Sequence, residues 1–230
     1  MDSPSRLARE LAKELESEPS AEEFAKRCLN SMRWGGSAVL MVVDASFTSA
    51  GLSYFTAVVP RVLRFKEELV DSGMIRGLED LASADEGLLL RYWRNRRSWS
   101  VAKGVASSLL RFGDDDRSRL RSWAAQSRLD GWRSDPVGSV KGVGLITYQY
   151  LRMMGGVDTA MPDRIVKKYV QAVGERAGVP VPRGDVEFVK FLESLRQYGV
   201  SPVAVTWLSW LKLSEGEEVL RRYGNLVNLL

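Results

Sequence analysis

One segment, residues 140–147 (VKGVGLIT), constrains the fold and the function of this chain more than any other. Gly142 and Gly144 flank a single apolar residue, so the backbone can turn sharply there and can lie close to a ligand. The residues that follow, Leu145–Met154, have the length and composition of a helix. The first amide groups of such a helix lack intrahelical partners and carry a partial positive charge, which suits a phosphate oxygen. The segment therefore predicts a tight turn between two helices, with an anion-binding helix end.

A second segment places a carboxylate at the start of a predicted helix. Asp163 lies nineteen residues after Gly144 and directly precedes an amphipathic stretch that continues to Ala177. The simplest interpretation is a helix N-cap, because an aspartate there accepts hydrogen bonds from the first amide groups. A helix N-terminus also favours the ionised form of a carboxylate, so capping and a chemical role are compatible.

Together, the two segments resemble the helix-hairpin-helix DNA glycosylase superfamily, whose best-known branch is the endonuclease III-like enzymes. The family hairpin reads leucine-proline-glycine-valine-glycine and is followed by threonine-alanine, and here residues 140–144 read VKGVG and Thr147 follows. The catalytic aspartate of the family opens a later helix, with an apolar residue three positions on and a basic residue five positions on. Asp163 is followed by Val166 and Lys168 at these positions. The resemblance is specific over residues 140–166 and diffuse over most of the chain.

The resemblance implies an all-α, two-lobed helix-hairpin-helix DNA glycosylase fold. Residues 35–155 would form a six-helix domain that contains the hairpin. Residues 1–34 and 156–230 would come together as a second helical domain, with the active cleft between the two. The implied activity is base-excision repair, in which a damaged or deaminated base is flipped out of the stack and its N-glycosidic bond is hydrolysed.

The implied catalytic residue is Asp163, which would stabilise an oxocarbenium-like sugar and orient the attacking water. The runner-up is Asp158, because residues 157–159 repeat a valine-aspartate-threonine triplet of the family. Asp158 lies five residues earlier and lacks the apolar and basic residues at the expected positions, so we favour Asp163.

The implied DNA contacts are of two kinds. The hairpin would hold a phosphate through its backbone amides, and a monovalent cation can mediate this contact; the residues concerned are Lys141, Gly142, Val143, Gly144 and Leu145. A wedge loop would fill the gap that a flipped base leaves; its residues are Phe47, Thr48 and Ser49. An ordinary surface loop between two helices is an equally good interpretation of that second set.

The chain departs from the family in two ways. Members that also cleave the strand carry a lysine two residues after the second hairpin glycine, and this position is Ile146 here. The cysteines that hold an iron–sulfur cluster in many relatives are missing. We therefore expect a monofunctional glycosylase without lyase activity, without an iron–sulfur cluster and without any other cofactor. The sequence does not identify the lesion.

Cysteine and histidine content excludes several kinds of site by itself. Cys28 is the only cysteine and the chain contains no histidine. Disulfides within the chain, zinc fingers and cysteine-ligated clusters are excluded, as are Ser-His-Asp and Cys-His nucleophilic sites. Any chemistry must use carboxylates, lysine, tyrosine or backbone amides.

The positive charge is concentrated in the middle of the chain. The net charge is only +4, but residues 91–133 contain ten arginines and one lysine against four aspartates. This local excess points to a polyanionic partner, here double-stranded DNA, although a solvated arginine-rich face would look the same. Two alternatives to an enzyme remain open at this level: a non-catalytic helix-hairpin-helix DNA-binding protein, and a helical protein-interaction module.

Helical spacing of apolar residues extends over most of the chain and predicts about eleven to thirteen helices. Leu7, Leu11 and Leu15 mark the first helix. The apolar run 37–46 fits either a buried strand or a buried helix, and we predict a helix because no partner strand is evident. No apolar run is long enough to span a membrane, and charged residues near the N-terminus lead us to expect no signal peptide. We expect a cytoplasmic, nucleoid-associated monomer.

Overall fold

The computed structural model describes residues 3–48, 50–215, 221, 222 and 230, and the regular secondary structure within these residues is all helical. The prediction of an all-α chain is confirmed. The described residues form α1 (Ser3–Glu16), α2 (Pro19–Leu29), α3 (Ala38–Thr48), α4 (Val59–Phe65), α5 (Leu78–Ser83), α6 (Glu86–Leu89), α7 (Arg96–Leu109), α8 (Asp116–Gln126), α9 (Leu145–Met154), α10 (Arg164–Ala177), α11 (Asp185–Ser194) and α12 (Pro202–Trp210). Shorter 3₁₀ turns lie at Arg33–Gly36, Trp132–Ser134 and Leu195–Tyr198, and π-helical turns lie at Tyr54–Val58, Lys66–Val70 and Leu211–Glu215.

Local sequence signals account for the helices that matter most here. The three leucines of α1 are buried, as their spacing requires. The apolar run that could have been a strand is α3, and ten of its eleven residues are buried. Both the bounds of α9 and the start of α10 at Arg164 agree with the sequence prediction. Within the described residues, no helix is long and apolar enough to cross a membrane.

The helices pack in two groups. One group contains α1, α2, α10, α11 and α12, and its central contacts are those of α12 with α2 and α10. In the other group, α3 and α7 pack against each other and against α5, α8 and α9. The two groups meet where α2 packs against α9. This grouping is compatible with the two domains that the resemblance implies, whose boundaries stay a prediction.

A charged pair is buried where the two groups meet. The side chains of Arg33 and Asp44 have no exposed surface, and Nη2 of the arginine lies 3.3 Å from Oδ2 of the aspartate. The same carboxylate oxygen accepts hydrogen bonds from the hydroxyls of Tyr54 (2.8 Å) and Tyr150 (3.0 Å) and from the indole of Trp34 (2.8 Å). A buried ion pair is tolerated only when such additional hydrogen bonds satisfy its polar atoms.

The guanidinium of Arg33 also connects this cluster to α12. Its central carbon lies 4.5 Å from the ring centre of Trp207, a cation–π geometry that partly replaces lost hydration. Nε and Nη1 of Arg33 are buried and have no hydrogen-bond partner among the described residues. Burial raises the pKa of both Tyr54 and Tyr150, so their hydroxyls stay protonated and can donate to Asp44. The cluster therefore joins α3, α9 and α12 through polar contacts.

A second contact between the groups uses two residues of the arginine-rich region. Arg117 donates from Nε to the carbonyl of Ser31 (3.1 Å), and Arg121 donates from Nη1 to the carbonyl of Leu29 (3.1 Å). These carbonyls lie at the end of α2, where backbone acceptors lack intrahelical partners. Part of the local positive charge is thus used to join α8 to α2, which leaves fewer arginines for an external partner.

Candidate functional site

The hairpin combines a sharp turn with an uncapped helix end. Gly142 has a φ of +96°, and a Cβ atom there would lie 2.9 Å from a methyl carbon of Val101. Gly144 is extended and is the N-cap residue of α9, and no side chain caps that helix. A Cβ atom on Gly144 would have no heavy atom within 4 Å. The turn therefore requires glycine at 142, whereas the absence of a side chain at 144 leaves open space in front of the first amides of α9.

The helix that precedes the hairpin is α8, which ends at Gln126, so a single tight turn does not join it to α9. The 3₁₀ turn Trp132–Ser134 and further turns lie between α8 and the hairpin. Asp135 holds these turns in place, because its Oδ1 accepts hydrogen bonds from the amide of Val137 (2.8 Å) and the indole of Trp123 (2.9 Å). A side-chain acceptor that satisfies nearby amides stabilises a turn in place of a helix.

Helix α7 forms the base on which the hairpin rests. A Cβ atom on Gly104 of α7 would lie 2.5 Å from a methyl carbon of Val140, so glycine permits the close approach of the two segments. Arg97 of α7 reaches the hairpin, since its Nε lies 3.8 Å from the position that a Cβ on Gly142 would occupy. Lys141 is exposed beside it. Arg97 thus places one cationic side chain at the hairpin turn, and Lys141 adds an exposed cationic residue within the hairpin itself.

Asp163 caps α10 and is held on both carboxylate oxygens. Oδ1 accepts hydrogen bonds from the amides of Ile165 (2.7 Å) and Val166 (2.9 Å), and Oδ2 accepts one from the indole of Trp210 (2.8 Å). Burial raises the pKa of the Asp163 carboxyl, and the hydrogen bonds from Val166, Trp210 and Ile165 oppose that rise. The arrangement fixes the orientation of the carboxylate and places it in a less polar environment than water.

The loop that leads to Asp163 is pinned by buried hydrogen bonds. Gln149 of α9 donates from Nε2 to the hydroxyl of Thr159 (2.7 Å) and to the carbonyl of Ala160 (2.8 Å). The hydroxyl of Thr159 in turn donates to Glu193 of α11 (2.7 Å). Because Gln149 lies on the helix that begins at the hairpin, these bonds couple the position of Asp163 to that of the hairpin.

Asp158 lies in the same loop but faces a different helix. Its Oδ1 accepts hydrogen bonds from the hydroxyl of Ser201 (2.7 Å) and the amide of Val203 (3.1 Å), at the start of α12. Capping α12 accounts for an aspartate at this position without any chemical role. The two carboxylates that the sequence offers as candidates therefore cap two different helices.

Trp210 donates to the Asp163 carboxylate and packs against two aromatic residues of the buried cluster. Its ring centre lies 5.0 Å from that of Trp207 and 5.8 Å from that of Tyr150, with nearly perpendicular planes in both cases. Tyr150 belongs to α9 and binds Asp44 through its hydroxyl. Trp210 therefore connects Asp163 to the buried cluster.

The prediction that Phe47 and Thr48 lie in a loop is wrong. Both belong to the last turn of α3, and Ser49 lies outside the described residues. Phe47 is fully buried, and its ring packs edge-on against Trp93 (4.0 Å between ring centres) and Trp99 (4.8 Å). In this conformation the aromatic ring of Phe47 is part of the core and is not available as a wedge.

Sequence reasoning missed the buried cluster and Trp210. One signal could have found the cluster, since Asp44 is the only charged residue within the apolar run of α3. Its partners Tyr54 and Tyr150 have no such signal, because they are ten and 106 residues away in the chain. Trp210 looks like any core tryptophan in the sequence, and only its hydrogen bond to Asp163 distinguishes it.

Within the described residues, no group of three or more cysteine, aspartate or glutamate side chains is arranged to hold a metal ion. A comparison of the chain with protein-family models, with curated proteins and with solved structures finds no match.

Proposed function

We propose that this chain is a DNA glycosylase that binds double-stranded DNA through the hairpin and hydrolyses the N-glycosidic bond of a flipped, damaged or deaminated base at Asp163. The observation that carries the proposal is the position of Asp163. It caps α10 with both oxygens held, on a loop that Gln149 attaches to the hairpin helix. Its partner feature is the open, uncapped start of α9 beside Lys141 and Arg97.

The hairpin would bind one phosphate without reading the base sequence. Amides at a helix N-terminus bind anions, and the missing side chain at Gly144 lets a phosphate oxygen approach them. Lys141 and Arg97 add positive charge next to the same point. Contacts of this kind fix the register of a protein on the duplex. The target base must then leave the stack, because the glycosidic bond is not accessible inside it.

The Asp163 carboxylate would act on the sugar of the flipped nucleotide. Glycosidic cleavage passes through a positively charged, oxocarbenium-like sugar, and a nearby anion stabilises that charge. Oδ1 is occupied by two amides, whereas Oδ2 has one hydrogen bond, from Trp210. Oδ2 is therefore the oxygen that faces the substrate or orients the attacking water. This proposal includes the two-lobed family fold, with domains at residues 35–155 and at 1–34 with 156–230.

A lesion panel tests the proposal most directly. Duplexes that contain uracil, hypoxanthine, 8-oxoguanine, a thymine–guanine mismatch or an alkylated purine should include at least one from which the protein releases the base.

The second candidate, a non-catalytic DNA-binding protein, is favoured by the hydrogen bonds that make Asp163 a complete helix cap. Tight duplex binding without base release from any lesion would support that candidate. No duplex binding at all would support the third, a protein-interaction module.

Strand cleavage should be absent. Ile146, at the position of the lyase lysine, cannot form a Schiff base, and its side chain is half-buried. Borohydride should therefore not trap a covalent complex between the protein and DNA that contains an abasic site. Efficient trapping that Lys141→Ala abolishes would show that the exposed hairpin lysine provides the amine instead.

Gly144→Val should weaken DNA binding without harming the fold. The backbone at residue 144 is extended and a Cβ has free space, so the substitution introduces no strain. Its branched side chain would stand in front of the amides that bind the phosphate. We expect affinity for undamaged duplexes to fall about tenfold or more, the scale of one hydrogen bond to a charged group, and to the same extent for different sequences.

Gly142→Val is the informative comparison. It should also disturb the phosphate site, but in addition it strains the backbone and brings a side chain into a clash with Val101. It should lower both the free energy of unfolding and the DNA affinity. Filter-binding or fluorescence titrations and urea denaturation separate the two effects. Unchanged duplex affinity of a folded Gly144→Val protein would rule out the hairpin as the phosphate site.

A further inference from the structure

A basic groove runs along the exposed face of α10, directly beside Asp163. Its volume is ≈ 540 Å³, and its lining residues are Pro162, Arg164, Lys167, Lys168, Gln171 and Asp185. Pro162 and Arg164 are the two chain neighbours of Asp163. The groove therefore lies next to the residue to which we assign the chemistry, on the outer side of the same helical turn, and the Asp163 side chain is not part of its lining.

Two of the cations that line the groove are uncompensated. The ammonium of Lys167 forms an ion pair with Asp185, which neutralises both groups. Arg164 and Lys168 are exposed, and neither forms an ion pair within the part of the chain that the structure describes. They are four residues apart, so they lie on one face of the helix, about 6 Å apart along its axis.

The two sides of this helical turn present opposite chemistry. The Asp163 carboxylate points inward to the amides of Ile165 and Val166 and to Trp210. Arg164 and Lys168 point outward into the groove. A ligand that places a cationic reaction centre near Asp163 and carries negative charge immediately beside it would satisfy both. A nucleotide within a DNA strand has this pattern, because its sugar is flanked by phosphates.

We propose that this groove, through Arg164 and Lys168, binds the strand phosphates adjacent to the flipped nucleotide. This inference rests on the proposed function and extends it, since it adds a second phosphate site on the helix group opposite the hairpin. The hairpin would set the register of the duplex, and the groove would hold the phosphates beside the helical turn that Asp163 caps. The duplex then contacts both helix groups at once.

The test uses the double variant Arg164→Gln with Lys168→Gln in the full chain. Glutamine keeps a good helix former at both exposed positions, so folding should be unaffected. The control is Lys13→Gln with Lys26→Gln, which removes two positive charges from exposed positions outside the groove, on α1 and α2, and Lys13 differs from the groove cations in that it pairs with Glu10. The DNA probe is a duplex with a stable abasic-site analogue. The slope of log affinity against log salt should become shallower by about 0.9 for each phosphate that the double variant no longer neutralises, and the control should keep the parental slope.

A methylphosphonate, which is uncharged, locates the contact. Placed next to the abasic analogue, it should weaken binding by the parent protein about tenfold and leave binding by the double variant within about twofold. Equal effects on parent and variant at every position would overturn the inference. A competition experiment gives a second way to overturn it. If inorganic phosphate displaces the duplex from the parent protein at constant ionic strength but not from the double variant, the groove is a site for the free ion.

The experiments distinguish an error in the groove proposal from an error in the glycosylase proposal. Base release by the parent protein together with an unchanged salt slope in the double variant would reject the groove alone. A reduced slope on undamaged duplex, without base release from any lesion, would reject the enzyme and keep the groove as a DNA contact.

Discussion

Asp163→Asn is expected to lower the single-turnover rate of base release by about 10²–10⁴, the range for a positioned acid–base group. Asparagine has the same size and keeps an oxygen for the amides of Ile165 and Val166, but it cannot carry the negative charge that stabilises the sugar. DNA binding should persist or tighten slightly, because a negative charge near the phosphates is removed. The measurement is single-turnover release from whichever lesion the panel identifies.

Two effects on stability oppose each other in this variant. The substitution removes a half-buried charge, which is favourable. It also places an amide NH₂ where Oδ2 accepts the hydrogen bond from Trp210, so a bond worth roughly 1 kcal/mol is removed. We expect the free energy of unfolding to change by no more than about 1 kcal/mol, so that the loss of activity is not a loss of fold.

Asp158→Asn is the matched control, since it makes the same chemical change in the same loop. Its Oδ1 caps α12, and asparagine can keep that role. Base release should stay within a few-fold of the parent. If Asp158→Asn is inactive while Asp163→Asn is active, Asp158 is the catalytic carboxylate and Asp163 is only a helix cap. If both variants remain active, the carboxylate mechanism does not apply to this chain.

The pH dependence of base release provides a further check on Asp163. Burial raises its pKa, so the carboxylate should become protonated at a higher pH than an exposed aspartate does. Base release should fall as the pH falls through that raised pKa.

The folded state binds this proton more tightly than the unfolded state does, so the contribution of Asp163 to stability is largest at low pH and is lost as the pH rises through the folded-state pKa. Trp210→Phe removes a hydrogen bond that lowers this pKa, and it should move the acid limb of the rate profile to higher pH.

Asp44→Ala is expected to lower the free energy of unfolding by about 3–5 kcal/mol, the cost of removing one partner from a buried ion pair. Arg33 is fully buried, and its Nε and Nη1 already lack partners among the described residues. Burial opposes the charge of the guanidinium, and the Asp44 carboxylate favours it. Without the carboxylate, the guanidinium charge would remain buried, and Trp34 and both tyrosines would lose their acceptor. Urea denaturation followed by tryptophan fluorescence measures the change.

The double variant Arg33→Met with Asp44→Leu should recover only the part of this stability that the unpaired guanidinium costs, because Trp34, Tyr54 and Tyr150 still lack their acceptor. Lys66 and Asp71 form a comparison pair at the surface, 2.7 Å apart and partly exposed. Asp71→Ala should cost no more than about 1 kcal/mol. A similarly small effect of Asp44→Ala would mean that the buried pair does not hold the two helix groups together.

Local sequence determined much of the framework around the candidate site. The bounds of α9, the start of α10 and the capping role of Asp163 all follow from short-range patterns of apolar, glycine and aspartate residues. These features depend on residues within about one helical turn of each other, so they can be inferred without the rest of the chain. The helical state of α3 is also predicted from the sequence, because no partner strand is evident, and the described residues contain no strand.

Only the tertiary structure decided which side chains share an environment. Phe47 looks like a loop residue in the sequence, but Trp93 and Trp99 bury it from a distance of about fifty residues. Arg117 and Arg121 look like surface charges, yet they bind carbonyls at the end of α2. The physical reason is that helices form from contacts between neighbours in the chain, whereas burial, ion pairing and pKa shifts depend on residues that packing brings together from distant parts of it.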